Sequence, residues 1–232
     1  MAGNIYLIPV TLGGDDFLKV IPEKVISLTK LLRYFIVEDL RSARRFLRLI
    51  DKGFPIDDSL FMELNEHTAE TEIADYLEPA VRGSDIGIMS EAGLPGIADP
   101  GAKIVALAHR MNIKVIPLSG PSSIILALIS SGFNGQNFTF NGYLPVKPAE
   151  KSARIKELEK KAREGYAQIF METPYRNQKL FDSVIASCNS DTMLCIAADI
   201  TLPSEYIRSM KISDWKKNIP SLNDKLVVYI LQ

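Results

Sequence analysis

Three stretches of this 232-residue chain combine glycine, proline, small hydroxyls and acids in ways that suit ligand binding. They are "PVTLGGDD" from Pro9, "SEAGLPGIADPG" from Ser90 and "PLSGPSS" from Pro117. Glycine lets a main chain approach a ligand closely and adopt positive φ, while proline holds a loop rigid. Each stretch follows an apolar, strand-like run. In open α/β sheets ligands bind there, outside the carboxyl ends of the strands. Asp99, before Pro100, also suits the N-cap of a following helix. Tight-turn chemistry explains any one such loop; three at corresponding places favour a ligand. Acids and backbone carbonyls near small residues fit a partly cationic, nucleotide-like small molecule.

Other chemistries lack their signatures. Neither the G-x-G-x-x-G nor the G-x-x-x-x-G-K-[ST] phosphate motif occurs, and G-x-S-x-G is absent. His67 and His109 give no zinc constellation, so no metal is expected. Cys188 and Cys195 have neither metal nor redox spacing and read as structural residues of a reduced, cytoplasmic protein. A formal net charge of −1 removes bulk basicity as an argument for nucleic acid, although a local basic patch stays possible. No apolar run has transmembrane length, and "MAGNIYLIPV" lacks the basic start of a signal peptide, so no membrane association is expected.

The elements that position the loops follow from hydrophobic periodicity. The first half alternates strands ("NIYLIPV", "RYFIVED", "SLFME", "DIGIMS", "IKVIPLS") with helices ("VIPEKVISLTKLL", "SARRFLRLI", "TAETEIADYLEPAVR", "AKIVALAHRM"). Thr68 is placed to cap the third of these helices. Strands this apolar imply a sheet covered on both faces, the parallel α/β arrangement. The second half opens with an apolar helix ending at Gly132. Strand "FTFNGYLPVKP" follows, then the charged, exposed helix "AEKSARIKELEKKAREG" with an i,i+4 pair of Glu157 and Lys161. Strands "AQIFMETP", "TMLCIAADI", "EYIRSM" and "KLVVYILQ" complete a mixed sheet. Two domains are expected, 1–118 and 119–232.

Taken in order, "IYLIPVTLGG", "VEDLRSARRFL", "LNEHTAETE", "SEAGLPGIADPG", "PLSGPSSIILALISSGF", "GYLP" and "METPYR" resemble the small-subunit ribosomal RNA methyltransferase I family of the tetrapyrrole (corrin/porphyrin) methylase superfamily. The likeness spans nearly the whole chain, and its most specific part is the family pattern S-D-A-G-x-P-x-x-x-D-P-G around Ser90 to Gly101. The resemblance implies two α/β domains, an N-terminal parallel and a C-terminal mixed sheet, with S-adenosylmethionine in the cleft between them. It also implies a homodimer whose contacts lie in the second domain. Cofactor contacts implied in this way fall on Pro9, Thr11, Gly13, Ser90, Glu91, Ala92, Gly93, Pro95, Asp99, Ser119, Gly120, Ser122 and Ser123, with Met171 and Ala197 from the second domain. The implied reaction is in-line methyl transfer to a 2′-hydroxyl of RNA in the small ribosomal subunit.

Glu38 and Asp39, ending the second strand, are the acids the resemblance places best for a catalytic base; an N-cap of the next helix is the alternative role. Arg41, Arg44, Arg45 and Arg48 recur at spacings of three and four, so several share one helical face. That face can position phosphates or simply be solvated. Asn65 and Glu66 match the family's N-E pair, and Tyr175 and Arg176 match a position where an aromatic or histidine precedes arginine. The chain departs from the family on the substrate side. Glu91 replaces an aspartate, Met62 and Leu64 replace histidines, and Ala198 and Leu202 replace an arginine and a lysine. A lysine-glycine-glutamate before the last strand is also absent. The leading expectation is an S-adenosylmethionine-dependent methyltransferase acting on ribosomal RNA. The alternatives are a methyltransferase of a small molecule such as a tetrapyrrole precursor, and a non-catalytic binder of the cofactor.

Overall fold

The computed structural model describes residues 2–65 and 68–232, apart from the side chain of Glu70. The chain divides into two compact units, Met1–Ser122 and Ser123–Gln232.

The first unit is built on five parallel strands, β1 (Ile5–Leu7), β2 (Tyr34–Val37), β3 (Leu60–Glu63), β4 (Ile86–Met89) and β5 (Val115–Pro117). Their spatial order is β3-β2-β4-β1-β5. Helices α1 (Glu23–Leu31), α2 (Leu40–Ile50), α3 (Glu70–Asp75), α4 (Glu78–Val81) and α5 (Gly101–Arg110) lie between them in the chain. Phe35 and Val37 of β2 enter one apolar cluster with Phe46, Leu47 and Phe54, while Ile36 enters another with Ile73, Leu77 and Ile104. Alternate residues of one strand therefore fill cores on opposite faces, which is why the strands read as unbroken apolar runs. Gly87 keeps the middle of β4 thin, since a Cβ there would stand 2.4 Å from Ile8 Cδ1.

One expected helix is two. The segment from Thr68 breaks into α3 and α4 because Pro79 lacks an amide hydrogen and its ring clashes with the carbonyl four residues back. Thr68 does not cap it. Its hydroxyl accepts the amide of Asn65 at 3.0 Å, and Ala69 holds the cap position without a side-chain bond.

The second unit opens with α6 (Ser123–Ser131), which ends at Gly132, and carries a mixed sheet. Its strands are β6 (Phe138–Tyr143), β7 (Ala167–Met171), β8 (Met193–Ala198), β9 (Tyr206–Lys211) and β10 (Val227–Leu231), in order β6-β7-β10-β8-β9. Only β6 and β7 run parallel; the other neighbours are antiparallel. Helices α7 (Pro148–Arg163), α8 (Asn177–Ser187) and α9 (Ile212–Trp215) cover one face through Leu158, Phe181 and Trp215. α6 packs against β8, β9 and β10. Trp215 donates Nε1–H to the Leu194 carbonyl at 2.9 Å, and the Phe170 and Tyr229 rings stack with centroids 5.6 Å apart.

The charged helix α7 is not exposed all round. Its expected Glu157–Lys161 pair forms at 3.0 Å, but Lys151 and Glu159 are buried. Glu159 accepts the Asn189 amide at 2.7 Å and the Thr192 hydroxyl, so its burial is matched by hydrogen bonds. α8 has no counterpart among the expected elements.

Candidate functional site

The strand order puts β4, β1 and β5 side by side and parallel, so the three glycine- and proline-rich loops emerge from one edge of the first sheet. They are stitched together there. Val10 donates its amide hydrogen to the Gly93 carbonyl at 2.9 Å, and Leu118 donates to Leu7 at 3.1 Å. Gly93 is buried at φ +73°, where a Cβ would lie 3.0 Å from Leu12 Cδ2 and 3.3 Å from the Pro121 carbonyl oxygen. At Gly120 a Cβ would stand 2.1 Å from Pro9 Cβ. Pro9, Leu12, Gly93, Gly120 and Pro121 thus close-pack with main chain where side chains would normally stand. The missing side chains make room for the loops themselves, a cradle that would set main chain toward a ligand recognised by backbone groups.

The acids of the long loop serve it locally. Asp99 accepts the Gly96 amide at 2.7 Å and the Gly101 amide at 2.6 Å, closing the loop; it is not the expected N-cap of α5, because Pro100 holds that position without a side-chain bond. Ala98 beside it takes φ +61°, a conformation an L-residue holds only under constraint. Ser90 is buried and donates to the Ala92 carbonyl at 3.2 Å; Thr11 donates to Gly14 at 3.2 Å. Ala92 and Gly13 are exposed, Pro95 is buried, and Ser119 is exposed while Ser122 is buried.

At the neighbouring end of β2 the two candidate acids separate by role. Asp39 is the N-cap of α2, accepting the Ser42 amide at 2.7 Å, and that bond holds its carboxyl below the usual carboxylate range. Glu38 is half-buried and accepts the Glu91 amide at 3.1 Å. Desolvation raises its pKa against the opposing Glu91 hydrogen bond, and the charges of Asp99, Glu91 and Asp39 add to the rise. Glu38, Leu64, Met89, Asp99 and Gly101 line one small hollow under the long loop.

The arginines of α2 are all exposed. Arg45 pairs with Asp15 of the first loop at 3.1 Å, Arg44 lies over the Phe61 ring at 5.3 Å, and Arg48 donates to the Lys52 carbonyl. Asn65 is exposed just beyond β3. Glu66 and His67 lie outside the described residues. In the second unit Met171 and Ala197 both stand opposite Val228, one strand away on either side of β10. Ala197 is fully buried and presents no surface of its own. Arg176 is bound to the carboxylate of Glu172 at 2.7 Å, a partner that the sequence reading did not single out. An open hollow in this unit, lined by Tyr206, Ile219, Leu222 and Lys225, holds none of the candidate residues. Among the described residues no group of three or more His, Cys, Asp or Glu side chains is placed to hold a metal, and no helix is long and apolar enough to cross a membrane.

A family model for tetrapyrrole (corrin/porphyrin) methylases matches residues 15–215, most of the chain. The chain belongs to the tetrapyrrole methylase family. It is similar to proteins called ribosomal RNA small subunit methyltransferase I. The one from Vibrio cholerae is 27% identical over 90% of this chain and 69% of that protein. The one from Streptococcus pyogenes serotype M3 is 30% identical over 89% and 68%, and the one from Leptospira borgpetersenii is 30% identical over 98% and 88%. At such identities this tetrapyrrole methylase is a divergent relative of them. The crystal structure of the methyltransferase CobJ superposes with a TM-score of 0.63 over 99% of this chain and 94% of CobJ, at 16% identity, which shows the common fold. As a family member the chain is a methyltransferase with S-adenosylmethionine as methyl donor, and the Pro9–Gly93–Gly120 cradle fits a cofactor approached by main chain.

Proposed function

We propose that this methyltransferase modifies a ribose 2′-hydroxyl of RNA in the small ribosomal subunit, with Glu38 as the base. The observation that carries the reading is the convergence at one sheet edge of the backbone cradle and a half-buried carboxylate with a raised pKa. The relatives' names supply the substrate class.

When bound, S-adenosylmethionine supplies an electrophilic sulfonium methyl group. Main chain of the Pro9–Gly13, Ser90–Pro95 and Ser119–Ser123 segments would hold it, with Asp99 fixing the long loop. Holding the nucleophile in line provides most of the rate gain. Glu38 accepts the proton of the attacking hydroxyl. A carboxylate with a raised pKa is better matched to that proton than Asp39, whose lone pairs are committed to α2. The exposed face of Arg41, Arg44 and Arg45, with Asn65, contacts the RNA backbone. The enzyme is a cytoplasmic homodimer in this reading, on the strength of the family resemblance.

The test is radiolabelled S-adenosylmethionine with small subunits from a strain lacking this gene, followed by nucleoside analysis. The expected product is one 2′-O-methylated nucleoside. Label in a small molecule and none in RNA would overturn the RNA reading.

A further inference from the structure

The second unit contains a buried charged cluster that the cofactor segments do not explain. Glu172 directly follows β7, and its side chain is 0% exposed. Oε1 accepts from Arg176 Nη2 at 2.7 Å and from the Thr173 amide at 2.9 Å, while Oε2 faces Lys151 Nζ at 3.9 Å. The lysine is itself buried. Glu172 Oε2, Arg176 Nε and Asn177 Oδ1 have no hydrogen-bond partner. Desolvating these groups offsets much of their mutual attraction, so the cluster is a poor means of stabilising a fold. What it does is fix one guanidinium.

That guanidinium lies over the Tyr175 ring, 5.3 Å from its centroid, and Tyr175 is 69% exposed. Tyr143 at the end of β6 is in register with Met171, the residue before Glu172, and is 57% exposed. The Tyr175 ring and the anchored guanidinium plane thus follow the carboxyl end of β7, and the solvent-exposed Tyr143 ends β6, its parallel neighbour. With its charge already met by Glu172, Arg176 is a flat stacking partner rather than a phosphate clamp.

We infer that Tyr175, backed by Arg176 and flanked by Tyr143, is a stacking platform for one unpaired base of the RNA substrate, and that Glu172 with Lys151 is the positioning pair that holds it. Proteins read single-stranded RNA by stacking splayed bases on aromatic rings and guanidinium planes. The inference rests on the RNA reading proposed above.

The experiment compares full-length wild type, Tyr175→Ala, Tyr175→Phe and Glu172→Gln on small subunits. It is repeated on an oligonucleotide of the methylated segment carrying 2-aminopurine or an abasic site at each unpaired position. Tyr175→Ala should raise KM for RNA by about 5- to 150-fold, the effect of losing one base–aromatic stack. Its S-adenosylmethionine affinity by calorimetry should stay that of the wild type. Tyr175→Phe keeps the ring and should recover most of the loss. At one position the aminopurine fluorescence should be quenched by the wild type and not by Tyr175→Ala, and an abasic site there should make the two proteins equal. Glu172→Gln should raise KM in the same sense, whereas damage to folding alone lowers the active fraction and leaves KM in place. Wild-type methylation of RNA with KM of Tyr175→Ala within two-fold, or with no position sensitive to abasic substitution, would overturn the platform alone. Absence of RNA methylation by the wild type would overturn the RNA reading and the platform with it.

Discussion

The carboxylate of Glu38 accepts the amide hydrogen of Glu91 at 3.1 Å, joining the end of β2 to the long loop after β4. One bond thus links the proposed base to the cradle. Burial raises the Glu38 pKa, so the charged form is disfavoured in the fold. A raised carboxyl pKa contributes stability below the unfolded value, and this is lost as pH rises through the folded one. Glu38→Gln should therefore lower kcat by about 100-fold or more, while Tm at neutral pH stays equal or rises, since the amide oxygen can still accept from Glu91. In the wild type kcat should fall as pH drops through the raised value. A variant that keeps full kcat would remove Glu38 from the mechanism.

Asp39 should behave in the opposite way. Its depressed pKa contributes stability that is present above the unfolded value and is lost as pH falls through the folded one. Asp39→Ala, which deletes the α2 cap, should cost about 1 kcal/mol in denaturant unfolding at neutral pH. Asp39→Asn should retain the cap and most of that stability. Methyl transfer by Asp39→Asn should far exceed that of Glu38→Gln; equal losses in the two variants would mean that the acids act together.

Gly93 and Gly96 offer a controlled pair. Both have positive φ, +73° and +88°, so an alanine at either carries a backbone cost of about 1–2 kcal/mol. Around Gly96 no heavy atom lies within 4 Å of the added Cβ, whereas at Gly93 the Cβ presses on Leu12 and the Pro121 carbonyl. Gly93→Ala should weaken S-adenosylmethionine binding at least about ten-fold, a loss of 1.4 kcal/mol, relative to Gly96→Ala in calorimetry. Equal affinities would detach the cradle from the cofactor.

Much of the fold was legible because the signals were periodic. The apolar runs of β1, β2 and β4 announced a sheet covered on both faces, and Gly132 marked the end of α6. The bonds that assemble the site were not legible. Val10 to Gly93 and Glu38 to Glu91 span 83 and 53 residues and depend on β4 inserting between β2 and β1, an order no local pattern encodes. Pro79 stands inside the helical pattern that starts at Thr68, and its missing amide hydrogen divides that pattern into α3 and α4. Glu172 and Lys151 were hidden because each sits among residues that read as surface. "METPYR" looks like a turn, and Lys151 begins a helix dense in charge. Only contact between α7 and the end of β7 shows them to be buried.

The basic face of α2 makes a separable prediction. Arg44 and Arg45 are exposed, and the Arg45–Asp15 pair at 75% and 67% side-chain exposure is too solvated to matter greatly for stability. Arg44→Glu with Arg45→Glu should leave S-adenosylmethionine affinity and the unfolding midpoint near those of the wild type. If each arginine neutralises one phosphate, RNA affinity should fall, and the slope of log K against log salt should become shallower by about 1 for each lost contact. Filter binding of small-subunit RNA across a salt series measures that slope directly. A parallel shift with no change in slope would make the loss non-electrostatic and would move the RNA backbone off α2.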